Sequence, residues 1–112
     1  MKTEQTKPIP RDPDLIPKPL SNPASALIRD TLEHYGITQT HGATAMKVSK
    51  SLLSDVIRQK KGVSASLALR FQFCFGVPAE LLVRLQSDHD FQTAYHTKTS
   101  QIAAEVTRLV PA

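Results

Sequence analysis

Within residues 46–62, MKVSKSLLSDVIRQKKG, hydroxyls and bases recur along one short segment: Ser49, Lys50, Ser51, Ser54 and Arg58, then Lys60 and Lys61. Leu53, Val56 and Ile57 interleave with them at helical spacing, which predicts a helix from Ser49 to about Arg58 with one apolar side. A helix enters the major groove of a duplex where its outer face is slim and offers donors. Lys50, Ser51 and Ser54 meet both conditions. Arg58, Lys60 and Lys61 lie at the far end, where cations reach phosphates and raise affinity without reading sequence. Leu52 falls on the outer side, where an apolar group has a reason to be only against a partner or thymine methyls. Asp55 brings a carboxylate near the same face, to repel phosphate or accept from a cytosine amine. The competing reading is a surface helix whose charged side is merely solvated.

Charge placement bears on that choice. Lys47, Lys50, Arg58, Lys60 and Lys61 against Asp55 alone give residues 36–62 the whole net charge of +4, while the charges elsewhere nearly cancel. A footprint this local points to a polyanionic partner more than a uniformly basic composition would.

Other chemistry finds little support. His34, His41, His89 and His96 are scattered, with no pair at i, i+4. Asp88-His89-Asp90 would point apart on a helix and reads as a solvated turn. Cys74 has no spaced Cys or His partner for zinc; amid Phe71, Phe73 and Phe75 it reads as a lone buried thiol suited to a reducing interior. No nucleophile–base pair or paired acids stand out, so no enzyme, metal or cofactor is expected. The N-terminal stretch has no apolar signal core, and no run approaches the roughly 18 apolar residues of a membrane span. A cytoplasmic protein without membrane contact is the expectation.

The elements that must position these residues are helices. Six of the eight prolines fall before residue 24, which excludes regular structure and predicts an extended, flexible arm over residues 1–22. Its clustered apolar residues, Leu15, Ile16 and Leu20, are candidate partner contacts. From Pro23 helical spacing takes over, with Asn22-Pro23 as cap and first turn and a stop at Gly36. Thr38 caps a short helix through Met46, with the amides near Gln39 and Thr40 free to hold a phosphate. Lys47-Val48 turns, and Ser49 caps the quoted helix. Ser64 caps a fourth helix with Leu67, Ala68 and Phe71 inward, ending at Gly76. Pro78 opens another bearing Leu81, Leu82 and Leu85, which "SDHD" either breaks or recaps. A last amphipathic stretch holds Ile102, Val106, Leu109 and Val110. No strand alternation is visible. The prediction is an all-α chain of five to six helices, with a helix-turn-helix domain over residues 23–94 and a C-terminal segment over residues 95–112.

From Pro23 to Ala94 the chain resembles the HigA-type antitoxins, a branch of the lambda-repressor-like helix-turn-helix regulators. The resemblance is carried by "GITQT", "KVSKSLLSDVI", "KKGVSASLALRF", "FGVPAELLVRLQ" and "DHDFQTA". The block of a base, glycine, Val63, Ser64, Ala65 and then Ala68-Leu69-Arg70 is the most specific. Four departures stand out. Gly42 replaces a large apolar residue of the first motif helix, Lys47 the turn glycine, and Gln59 the glycine after the recognition helix; Asp55 adds a negative charge.

The resemblance implies a protein with two jobs. It would neutralise a cognate, mRNA-cleaving HigB-type ribonuclease toxin by direct binding, with Leu15, Ile16 and Leu20 as candidates for that contact. It would also repress its own operon as a homodimer on palindromic double-stranded operator DNA, through the positions from Gln39 to Lys61 named above. The family dimerises through the region after the fourth helix, here Leu81, Leu82, Leu85, Ile102, Val106 and Leu109. The alternatives are a stand-alone repressor without a toxin and an interaction module that has lost operator binding.

Overall fold

The computed structural model describes residues 16–111. Leu15 and the rest of the expected arm before it lie outside the described residues. Among the described residues there are five helices and no strand: α1 (Pro23–His34), α2 (Gln39–Met46), α3 (Lys50–Ile57), α4 (Ala65–Phe75) and α5 (Ala79–Glu105). The all-α expectation holds. Residues 20–89 form one compact unit, and residues 16–19 with 90–111 form another, α5 contributing to both.

Each of the first four helices starts where a short polar side chain occupies an orphan amide. Asn22 accepts from the Ala24 N–H at 3.0 Å, Thr38 from His41 at 3.1 Å, Ser49 from Leu52 at 3.0 Å and Ser64 from Leu67 at 3.1 Å. Such caps contribute about 1 kcal/mol each. The helix ends are less conventional. Gly76 closes α4 with φ 78°, but α2 and α3 end on non-glycine residues in the same left-handed region, Lys47 at φ 60° and Gln59 at φ 63°. After α2, the Lys47 N–H bonds the Thr44 carbonyl at 3.2 Å and Val48 bonds Ala43 at 3.0 Å. After α3, Gln59 bonds Val56 at 3.0 Å and Lys60 bonds Asp55 at 2.7 Å. Both are the paired bonds of a Schellman ending, which favours glycine because a Cβ crowds there. Lys47→Gly is therefore expected to stabilise the domain by about 1 kcal/mol, read as a higher urea midpoint with unchanged m-value. An unchanged or lower midpoint would contradict that.

The core of residues 20–89 draws on every helix. Ala24, Ile28 and Leu32 of α1 meet Ala43 and Met46 of α2, Leu53 and Val56 of α3, Leu67, Ala68 and Phe71 of α4, Ala79 and Leu82 of α5, and Val63 from the loop before α4. Gly42 is buried among them. A Cβ there would lie 3.1 Å from Cδ2 of Leu32 and 3.7 Å from Cδ2 of Leu53. The volume that a large residue at this position would fill is thus taken by side chains of α1 and α3, so the departure at Gly42 is absorbed by packing.

Several expectations need correction. Ser87–Asp90 is uninterrupted helix, not a break, because nothing there removes a backbone donor. The final amphipathic stretch is not helical throughout. The helix stops at Glu105, Val106 still bonds the Ile102 carbonyl at 3.0 Å, and Arg108 then turns its guanidinium onto the carbonyls of Val110 and Pro111. Leu109 therefore does not share a helical face with Ile102. Cys74 is exposed. The inward side of α4 is Leu67, Ala68 and Phe71 with Phe75 partly covered, and Cys74 sits on its flank beside Lys47, Arg70 and Phe73.

In the second unit, Tyr95 is buried between Phe91, tilted with ring centroids 6.0 Å apart, and His96, edge-on at 5.6 Å. His96 Nε2 donates to the Ile16 carbonyl at 2.5 Å, and Ile16 itself is half-buried. Phe91, Tyr95, Ile102 and Val106 line a shallow apolar groove on this unit.

Candidate nucleic-acid interface

The turn Lys47–Ser49 brings α2 and α3 together as the helix-turn-helix pattern requires. α2 packs on α3 and α4, and α1 on α3. With Leu53 and Val56 fully buried, the opposite side of α3 is fixed outward. Ser49, Lys50, Ser51, Arg58, Lys60 and Lys61 are exposed, and Ser54 and Asp55 half-exposed. These share one stretch of surface at α3 and its following loop. Thr40 is exposed at the start of α2 and Gln39 half-buried there. The Ser49 hydroxyl oxygen accepts from the Leu52 N–H as the cap of α3, which fixes its position and leaves its O–H to donate outward.

Two sequence readings change here. Leu52 is half-buried and packed against the core. That packing explains an apolar residue at this position without thymine methyls, and leaves Leu52 little surface for a base. The Asp55 carboxylate stands 3.9 Å from Lys61 Nζ. The pair is partly exposed and weak, yet it turns the carboxylate toward the Lys61 ammonium and makes Lys61 a cation that phosphate must share with Asp55.

Leu82 was expected at a dimer interface, but it is fully buried in the core and has no surface to offer a second copy. Leu81 and Leu85 are half-buried, while Ile102, Val106 and Leu109 are 49%, 64% and 92% exposed. Of the arm residues, Leu20 is fully open.

Sequence reasoning missed one group that shapes the motif. Arg70 Nη1 donates to the Met46 carbonyl at 3.0 Å, placing a cation at the C-terminal end of α2 and tying α2 to α4. Its position was visible in the Ala68-Leu69-Arg70 block, but its role depends on a carbonyl 24 residues away. Among the described residues no group of three His, Cys, Asp or Glu side chains is placed to hold a metal ion, and no helix is long and apolar enough to cross a membrane.

No family model matches the chain. Among solved structures, antitoxin GraA superposes with a TM-score of 0.74 at 28% identity, over 83% of this chain and 99% of that one. The Pseudomonas aeruginosa antitoxin HigA, solved with the higBA promoter, superposes with a TM-score of 0.70 at 31% identity, over 80% of this chain and 98% of that one. The chain belongs to the HigA family of antitoxins. A curated relative, virulence-associated protein A' of Dichelobacter nodosus, is 32% identical over 79 residues, 68% of this chain and 69% of that protein. Virulence-associated protein I of the same organism is 29% identical over 82 residues, 73% of this chain and 76% of that protein. In this HigA-family chain Lys47 and Gln59 both hold a left-handed backbone, a region that glycine adopts without strain.

Proposed function

We propose that this HigA-family protein represses its own operon by binding operator DNA as a homodimer, and neutralises a cognate HigB-type ribonuclease by direct contact. The observation that carries the DNA reading is the coincidence of the exposed side of α3 with the local concentration of positive charge. Lys50, Ser51 and Ser54 serve as base-reading donors. Arg58 and Lys60, with Lys61 shared by Asp55, serve as phosphate anchors. A HigA relative bound to its promoter supports the same reading. The half-exposed Phe91, Ile102 and Val106 support dimerisation through the second unit rather than through Leu82. Sedimentation showing only a 12 kDa species at tens of micromolar would exclude the dimer.

The test separates the two kinds of contact. Lys60→Ala is expected to weaken binding to operator and random DNA alike. Lys50→Ala, Ser51→Ala and Ser54→Ala are expected to lose discrimination, by about 1–3 kcal/mol for a good base contact and less for a hydroxyl. Filter binding against both DNAs reads the difference. Growth of cells expressing the toxin is expected to be rescued by all four variants, since the toxin contact is assigned elsewhere. If Lys60→Ala, Ser51→Ala and Ser54→Ala all keep wild-type affinity and selectivity, α3 is only a solvated face.

A further inference from the structure

The basic loop after α3 is held from behind by a part-buried polar network. Gln86 lies half-buried in α5, and its Oε1 accepts two hydrogen bonds, from Asn22 Nδ2 at 2.7 Å and from the Val63 N–H at 2.7 Å. Asn22 is only 3% exposed. Its Oδ1 caps α1, and its backbone N–H donates to Gln59 Oε1 at 2.9 Å. The loop is thus clipped at both ends, at Gln59 to the start of α1 and at Val63 to α5, with Lys60 and Lys61 between the clips. Gly62 seals the arrangement. A Cβ at Gly62 would come within 2.8 Å of Gln86 Nε2 and 3.0 Å of its Cδ, so a side chain there would have to push the Gln86 amide out of place.

The network also accounts for an oddity. Gln59 holds a positive φ that glycine would adopt more easily, but glycine would leave the Asn22 N–H without this acceptor. A glutamine here exchanges backbone ease for a tie to α1.

Resting on the DNA-binding reading above, we propose that Gln86 is a positioning residue for phosphate recognition: through Asn22 and Val63 it holds the loop that carries Lys60 and Lys61. A cation on a tethered loop meets phosphate already ordered, whereas one on a loose loop must be ordered at the moment of binding. Where that ordering costs more than one phosphate contact returns, the contact is not made, so unclipping the loop should remove phosphate contacts and leave the base-reading side of α3 intact.

The salt dependence of DNA binding measures this directly, because the slope of log affinity against log salt counts phosphate contacts and is insensitive to the folded fraction. Gln86→Met keeps length and removes the acceptor. In a dimer, losing Lys60, or Lys60 and Lys61, from each protomer should make the slope shallower by about 2 to 4. The operator-to-random selectivity ratio should be unchanged. Gly62→Ala attacks the same contact from the loop side. It should give the same shallower slope, and it stands in if Gln86→Met fails to fold. The double variant should lose no more slope than the single ones. A folded Gln86→Met, or in its place Gly62→Ala, with the wild-type slope would overturn the positioning role while leaving the DNA-binding reading intact. A near-zero slope already in the unmodified protein would overturn both.

Discussion

Raising salt from 50 to 200 mM is expected to lower operator affinity by about 10²- to 10³-fold. Arg58 and Lys60 in each protomer give a dimer about four phosphate contacts, and about six where phosphate draws Lys61 from Asp55. At about 0.9 per contact, the log–log slope falls between about −4 and −5. The shallower slope is expected, because Lys61 Nζ already stands 3.9 Å from the Asp55 carboxylate. Asp55→Asn separates these cases: by freeing Lys61 it should steepen the slope by up to about 2. Fluorescence anisotropy with labelled operator over that salt range suffices. A slope near zero would move the assignment to an interaction module that has lost its operator.

Leu53→Ala is expected to cost about 2–5 kcal/mol, in the upper part of that range. Leu53 is fully buried, and its Cδ2 lies 3.7 Å from where a Cβ at Gly42 would be. A neighbour that is already glycine has no side chain to lean into the cavity, so little relaxation offsets the loss. Thermal unfolding should show a Tm more than about 10 °C lower. Ser51→Ala, one turn face away and exposed, should remain within about 0.5 kcal/mol of the parent. A Leu53→Ala protein with the parent Tm would mean that α3 does not present its Lys50–Ser51 side outward as described.

Much of the helical framework was legible in the chain because its signals are local. Asn22, Thr38, Ser49 and Ser64 cap the amide two or three residues onward, and the inward residues of α3 and α4 recur at helical spacing. A cap or a periodic stripe needs only its own turn of chain, and pattern reading is reliable there. The concentration of charge in residues 36–62 was legible for the same reason.

Burial was not. Leu81, Leu82, Leu85 and the C-terminal apolar residues look alike in the sequence, yet Leu82 is fully covered and Leu109 almost fully open. Which leucine is spent on the core depends on how α5 meets α1 and α4. Leu52 and Cys74 changed sides for the same reason: the edge of an apolar stripe is decided by the neighbour that covers it. Periodicity locates the centre of the stripe only.

The chain by itself determined where helices begin, which side of α3 is apolar and where the positive charge gathers, since each is set within a few residues of backbone. Tertiary structure alone decided that Asp55 turns to Lys61, that Arg70 closes α2, and that Gln86 reaches Asn22 across 64 residues and Val63 across 23. A hydrogen bond has no sequence signature when its partners are brought together only by the packing of other elements. Such bonds hold the basic loop in place.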